Sequence, residues 1–182
     1  MSESVGHHPR VDAADNRMHI LAVARSAFAA DGVELPVREV ARRAGLGVAT
    51  VYRHFPSRQE LLTAVLTEHV AGCAAEMRAA LADPDPRGAL RRLIVRFGER
   101  QVQDRGINEA LLSPDAPFAA QRRAHADAFA ELVRRAGLRD GVDIDDARVA
   151  LTAIASFRSL PPDRASVAIQ RLTSLLLTSL TN

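Results

Sequence analysis

The sequence predicts an all-α protein with about nine helices. Apolar residues recur at spacings of three and four along most of the chain, and no segment alternates polar and apolar residues as a strand would. Glycine and proline separate the apolar segments at the positions where helices are expected to end. With 47% hydrophobic and 25% charged residues among 182, the chain is expected to be globular with a substantial core.

The first elements are read from short signals near the amino terminus. Residues 1–14 are predicted to form a disordered tail, and a first helix follows. A short amphipathic helix is predicted from Val37 to Ala44, with Pro36 at its first helical position. Gly45 stands where this helix must end in a left-handed conformation, so a second helix can begin almost at once.

The spacing of these two helices is typical of a helix-turn-helix unit. Ala41 is small enough for the second helix to cross closely, and Leu46 and Val51 supply apolar contacts at the crossing. In such a unit the second helix enters the major groove of DNA, so the exposed residues from Val48 to His54 are the expected contacts.

The side chains in this region suit a DNA surface. Hydroxyls and arginines bond phosphate, and small apolar side chains meet thymine methyl groups. Five arginines and one acid lie between residues 38 and 58. Ser57 and Glu60 form a predicted capping box for the next helix, which places Arg58 in its first turn. The candidate DNA contacts are Arg38, Val48, Ala49, Thr50, Tyr52, Arg53, His54 and Arg58.

These motifs resemble the TetR family of bacterial transcription regulators. The resemblance is carried by Ile20, Leu21, Ala24, Phe28 and Gly32, by the run from Val37 to Gly45, and by the run from Gly47 to Leu62. It implies a three-helix DNA-binding domain, a dimeric all-helical C-terminal domain, and release from DNA when a small molecule binds that domain. Arg58 stands where members of the family more often carry a phosphate-binding lysine.

The remaining helix start and stop signals predict six further helices. A long helix from about Ser57 to Leu81 is followed by helices at about Arg87–Asp104, Ile107–Leu112 and Asp115–Ala136, the last capped by Gly137. Asp143 or Asp145 begins the eighth helix, and Pro161-Pro162 precedes the ninth. We therefore expect a DNA-binding domain at residues 15–58 and a ligand-binding and dimerisation domain at 59–182.

The last two helices carry more apolar residues than one interior contact requires, which favours a two-fold interface. A homodimer would present two recognition helices to a palindromic double-stranded operator. Core packing within one subunit is the alternative use of the same residues. The candidate interface residues are Ala150, Ile154, Phe157, Leu172, Leu176 and Leu180.

By the resemblance, a small-molecule effector would bind among helices 4 to 8. The aromatic residues proposed there also suit ordinary core packing, whereas a buried polar side chain would orient a ligand. An apolar or amphipathic effector is expected. Metal sensing through His69 and Cys73 is an alternative without an evident third ligand, so no metal or other cofactor is predicted. The candidate lining residues are Met77, Phe97, Gln101, Phe118, Arg122, His125 and Phe129.

Other functional classes find little support in the sequence. No phosphate-binding loop, nucleophile elbow, zinc-protease motif or dinucleotide fingerprint is present, so the chain is not expected to be an enzyme. One cysteine and no long apolar segment favour a cytoplasmic protein without membrane contact. Two readings stay open beside a ligand-released repressor: an activator, and a ligand-independent regulator whose C-terminal domain only dimerises.

Overall fold

The computed structural model describes residues 9–113, 117–157 and 160–181, and within these ranges it contains helices and no strands. The all-α prediction is confirmed. In chain order the helices are α1 (Pro9–Asp31), α2 (Val37–Arg43), α3 (Val48–His54), α4 (Arg58–Ala82), α5 (Pro86–Gln103), α6 (Arg105–Leu111), α7 (Ala119–Ala136), α8 (Ile144–Ser156) and α9 (Pro162–Thr181). No helix in the described ranges has the length and apolar character needed to cross a bilayer.

Two helices begin elsewhere than the sequence predicted. α1 begins at Pro9, inside the expected disordered tail, and the fixed φ of proline suits a first helical position. Residues 1–8 lie outside the described ranges. α7 begins at Ala119 and not near Asp115, because Phe118 packs into a core before the helix starts.

The turn between α2 and α3 is built as the sequence predicts, whereas the start of α2 differs from the prediction. Gly45 has φ of 66°, and the amides of Gly45 and Leu46 donate to the carbonyls of Arg42 and Ala41, which closes α2. Pro36 lies one position before α2, with ψ of 144°, and is not its first helical residue. Its carbonyl accepts from the amides of Glu39 and Val40, so the proline still starts the helix.

Two cores share the long helix α4. The N-terminal core packs α1, α2 and α3 against the first two turns of α4, and Ile107 of α6 and Phe118 also belong to it. The C-terminal core contains Met77 from the far part of α4 together with residues of α5, α7, α8 and α9. The predicted boundary after residue 58 therefore cuts through the N-terminal core, because α4 and α6 complete it.

Candidate nucleic-acid interface and internal cavity

The helix α3 is fixed by two buried side chains. Val51 and Phe55 are buried in the N-terminal core, which leaves the opposite face of α3 in solvent. Arg17 of α1 lies over the Phe55 ring, with its guanidinium carbon 4.4 Å from the ring centre, and this adds a cation–π contact. His19 bonds the Ala44 carbonyl through Nε2 at 3.0 Å, so α1 also holds the end of α2.

The outer face of α3 carries the predicted contacts in two groups. Val48, Ala49, Tyr52 and Arg53 are exposed, and Tyr52 keeps 43% of its surface accessible. Thr50 and His54 are half-buried and flank this face. Arg53 donates to the Thr50 hydroxyl at 3.1 Å.

The arginines beside α3 differ in how far their charge is already paired. Arg38 is exposed on α2. Arg42 and Arg43, by contrast, both bond Glu39, and these hydrogen bonds lower the pKa of that carboxyl to about 2. Arg43 also bonds Asp31 at 2.6 Å. The local excess of positive charge at this surface is therefore smaller than the sequence count indicates.

Arg58 has a different environment from the one the sequence indicates. Its guanidinium donates to the Val33 carbonyl and to the Glu34 carboxylate, the latter at 3.0 Å. The N-cap is as predicted, with the Glu60 amide donating to Ser57 Oγ at 3.1 Å. Because Glu34 is almost fully exposed, a DNA phosphate has access to exchange with it.

A cavity of about 570 Å³, partly open to solvent, lies between α4, α5, α6 and α7, with Ala155 of α8 also in its wall. Five predicted lining residues border it, namely Met77, Phe97, Gln101, Arg122 and His125. The prediction was wrong for Phe118 and Phe129. Neither lines the cavity: Phe118 belongs to the N-terminal core and Phe129 to the C-terminal core.

The lining also includes residues that were not proposed as ligand contacts. Arg100, Asn108 and Leu112 border the cavity, and His69 and Cys73 do so as well, although the sequence raised those two only as metal ligands. Arg100 forms an ion pair with Glu76. His69 and Cys73 could have been identified from the sequence, because His69, Cys73 and Met77 follow one another at i, i+4 spacing on one face of α4. The described residues contain no group of three or more His, Cys, Asp or Glu side chains arranged to hold a metal ion.

The polar groups in the cavity are shifted by burial. Burial lowers the pKa of His69 and of His125, and it raises the pKa of the Cys73 thiol. His69 Nδ1 and Gln101 Oε1 are buried without a hydrogen-bond partner. Buried polar atoms of this kind are uncommon and indicate a position where a ligand or water completes the bonding.

The candidate dimer residues lie mostly inward. Ala150 and Ile154 are buried, and Phe157, Leu172 and Leu176 pack against the C-terminal core. The side chain of Leu180 lies outside the described residues. On the outer side of α8 and α9, Val149 is 69% exposed and Val167 is 51% exposed. Sequence reasoning missed them because the richer apolar stripe of each helix belongs to the core.

Comparisons with known proteins agree with this geometry. Residues 20–65 match the model of the family described as bacterial regulatory proteins, tetR family. An HTH-type transcriptional regulator of Mycobacterium bovis is 38% identical over 90 residues, which are 49% of this chain and 46% of that protein. The chain thus spans about half the length of the curated relatives it matches.

Solved structures match over nearly the whole chain. A TetR transcription regulatory protein from Mycobacterium vanbaalenii is 29% identical with a TM-score of 0.69, covering 95% of this chain and 99% of that one. A TetR transcriptional regulator from Streptomyces coelicolor is 29% identical with a TM-score of 0.67, covering 91% and 98%. Both are transcription regulators, the class of protein that the sequence predicts for this chain.

Proposed function

We propose that the chain is a regulator of the TetR family, whose model matches residues 20–65, and that it acts as a dimeric repressor released from a palindromic operator by a small molecule. The proposed DNA contacts are the exposed residues of α3 with Arg38 and Arg58. The observation that carries the proposal is α3 itself, which is fixed by buried Val51 and Phe55 while Tyr52 and Arg53 are exposed on its outer face.

Dimerisation is proposed because a single helix-turn-helix unit binds DNA weakly. A pair of recognition helices must be spaced by one helical turn of DNA, about 34 Å. The pairing is placed on the outer sides of α8 and α9, where Val149 and Val167 are exposed apolar side chains. A two-fold contact there would combine four helices, two from each subunit.

Release by a ligand is proposed from the position of the cavity. Its volume of about 570 Å³ falls within the range of about 300–1,000 Å³ that small-molecule sites occupy. α4 runs from Arg58, beside the DNA-facing surface, to Met77 in the cavity wall. A ligand that favours a different tilt of α4 would change the separation of the two recognition helices and weaken operator binding.

The test is selection of operator sites from a random DNA library, followed by measurement of site affinity at fixed salt. Tyr52→Ala is expected to weaken operator binding by about 1–3 kcal/mol without unfolding the protein. Val95→Ala removes an exposed apolar side chain of α5 that does not line the cavity and is the control. Recovery of no preferred sequence, or equal affinity of both variants and the parent, would contradict the proposed function.

A further inference from the structure

The cavity is long and mostly apolar. Its wall on α4 extends from His69 to Leu81, and twelve residues of helix correspond to about 18 Å. Met77 and Phe97 border the cavity between these limits. The shape suits an extended molecule with an apolar body better than a compact polar one.

Two unpartnered polar atoms mark one end of this space. His69 and Gln101 are each only 5% exposed, and His69 Nδ1 and Gln101 Oε1 have no hydrogen-bond partner. α4 and α5 are joined by a three-residue connection, 83–85, so they run antiparallel. Residue 84 is the middle of this connection. His69 lies 15 residues before it and Gln101 17 residues after it, so the two side chains lie at similar heights along the antiparallel pair, far from the connection.

The charges around that end cancel in pairs. Asp104 Oδ2 lies 3.8 Å from His69 Nδ1 and 3.8 Å from Arg25 Nη2. Arg100 is paired with Glu76. The whole lining contains Arg78, Arg100 and Arg122 but no aspartate or glutamate. A cationic ligand would meet the arginines of the wall. Because Asp104 and Arg100 are already paired with Arg25 and Glu76, neither a cationic nor an anionic head finds a free counter-charge at this end.

We propose that the cavity binds an uncharged, elongated amphiphile whose hydroxyl head lies between His69 and Gln101 and whose alkyl chain extends towards Leu81. A hydroxyl donates one hydrogen bond and accepts others, so it can donate to Gln101 Oε1 and accept from His69 in the tautomer that carries its proton on Nδ1. The alkyl chain removes apolar wall surface from water. The effector role of this ligand rests on the proposed function, whereas the binding site itself does not.

Three probes with the same tail and different heads test the ligand class: 1-decanol, decanoate and decyltrimethylammonium. Their dissociation constants for the full chain are measured by calorimetry below the concentration at which any probe aggregates. Decanol is expected to bind about tenfold or more tightly than either charged probe, which is a difference of about 1.4 kcal/mol. Equal or tighter binding of decanoate or of decyltrimethylammonium would overturn the proposal.

A pair of variants tests the position of the head. Gln101→Leu is expected to weaken decanol binding by about tenfold, since the hydroxyl loses its acceptor. Gln103→Leu makes the same change at an exposed position of α5 outside the cavity lining and is expected to leave the affinity unchanged. Should Gln101→Leu unfold, His69→Leu with its own thermal scan replaces it. Unchanged binding in the folded buried variant would overturn the proposal.

The same samples separate the two proposals. Decanol binding is measured without DNA, and operator binding is measured without decanol. If decanol does not bind a chain that still selects an operator, the proposed ligand class is wrong and the proposed function is unaffected. Tight decanol binding by a chain that selects no operator supports the ligand class and contradicts the proposed function.

Discussion

Gly106 in α6 packs directly on Phe28 in α1, since a Cβ on residue 106 would lie 2.2 Å from the Phe28 carbonyl oxygen. The same Cβ would lie 2.8 Å from Gly32 Cα. The Phe28 carbonyl already accepts a hydrogen bond from the Gly32 amide at 3.1 Å. The end of α1 and the start of α6 therefore meet backbone to backbone, which joins the two parts of the chain at a second place besides α4.

Replacing Gly106 with alanine should destabilise the protein by about 1–3 kcal/mol, because the backbone at Phe28 cannot move away without shifting α1. Gly72→Ala is the matched control in α4. Gly72 is exposed, has nothing within 4 Å of its Cβ position, and should gain about 0.5–1 kcal/mol from the substitution. Urea unfolding of both variants measures the difference, and equal stabilisation of the two would rule out the close α1–α6 contact.

Unfolding should depend on pH through two imidazoles of the cavity. Burial lowers the pKa of His69 and of His125 below the ordinary value of 6.5, with Asp104 partly opposing the shift at His69. As pH falls through about 6.5, the unfolded chain takes up protons that the folded chain does not. The free energy of unfolding should therefore decrease as pH falls below neutrality, until the lowered folded-state pKa values are reached.

Denaturant titrations at a series of pH values check this sign. His69→Gln and His125→Gln should each make the fall in unfolding free energy shallower, and the double variant should make it shallower still. A parent protein that becomes more stable as pH falls from 7 to about 5, or slopes that the substitutions leave unchanged, would contradict the assignment.

The helices whose ends carry strong local signals were predictable from sequence. Ser57 caps α4, and Asp143 caps α8 with Asp146 completing its capping box, because these hydrogen bonds depend only on residues three apart. The start of α7 was not predictable in this way. Phe118 belongs to the N-terminal core, and that contact joins residues far apart in the chain.

The residues of the site were predictable from sequence where their exposure depends on a single helix. They were less predictable where it depends on contacts between several helices. The buried and exposed faces of α3 follow from its seven residues, so Val51 and Tyr52 fall on the expected sides. Whether Arg58 is paired depends on Glu34 in another segment, and whether Phe129 lines a cavity depends on four helices. Apolar periodicity identifies a buried face, but it cannot tell a core from a cavity wall or a subunit interface.

Self-association should depend on the outer side of α9. Val167→Glu places a charge on the apolar surface proposed for the dimer and should convert the protein to monomers in sedimentation equilibrium. Val95→Glu makes the same change at an exposed position of α5 and should leave the dimer intact. The interface would have to be sought elsewhere if Val167→Glu stayed dimeric, or if both variants dissociated equally.

The last prediction concerns Asp104, whose carboxylate stands between α1 and the cavity at 3.8 Å from both Arg25 and His69. A ligand hydroxyl that bonds His69 would change the partner nearest Asp104, and Arg25 would carry that change into α1, which contacts Phe55 at the end of α3 and Ala44 at the end of α2. Arg25→Gln should therefore reduce the decanol-dependent loss of operator affinity by about 0.5–2 kcal/mol while decanol binding and ligand-free operator binding stay near parental values.

Arg148→Gln, at an exposed ion pair on α8, is the control and should leave the coupling unchanged. Measuring all four affinities of the thermodynamic cycle for each variant gives the coupling directly. Equal coupling in the parent and in Arg25→Gln would show that the signal passes through α4 or α6 without this ion pair.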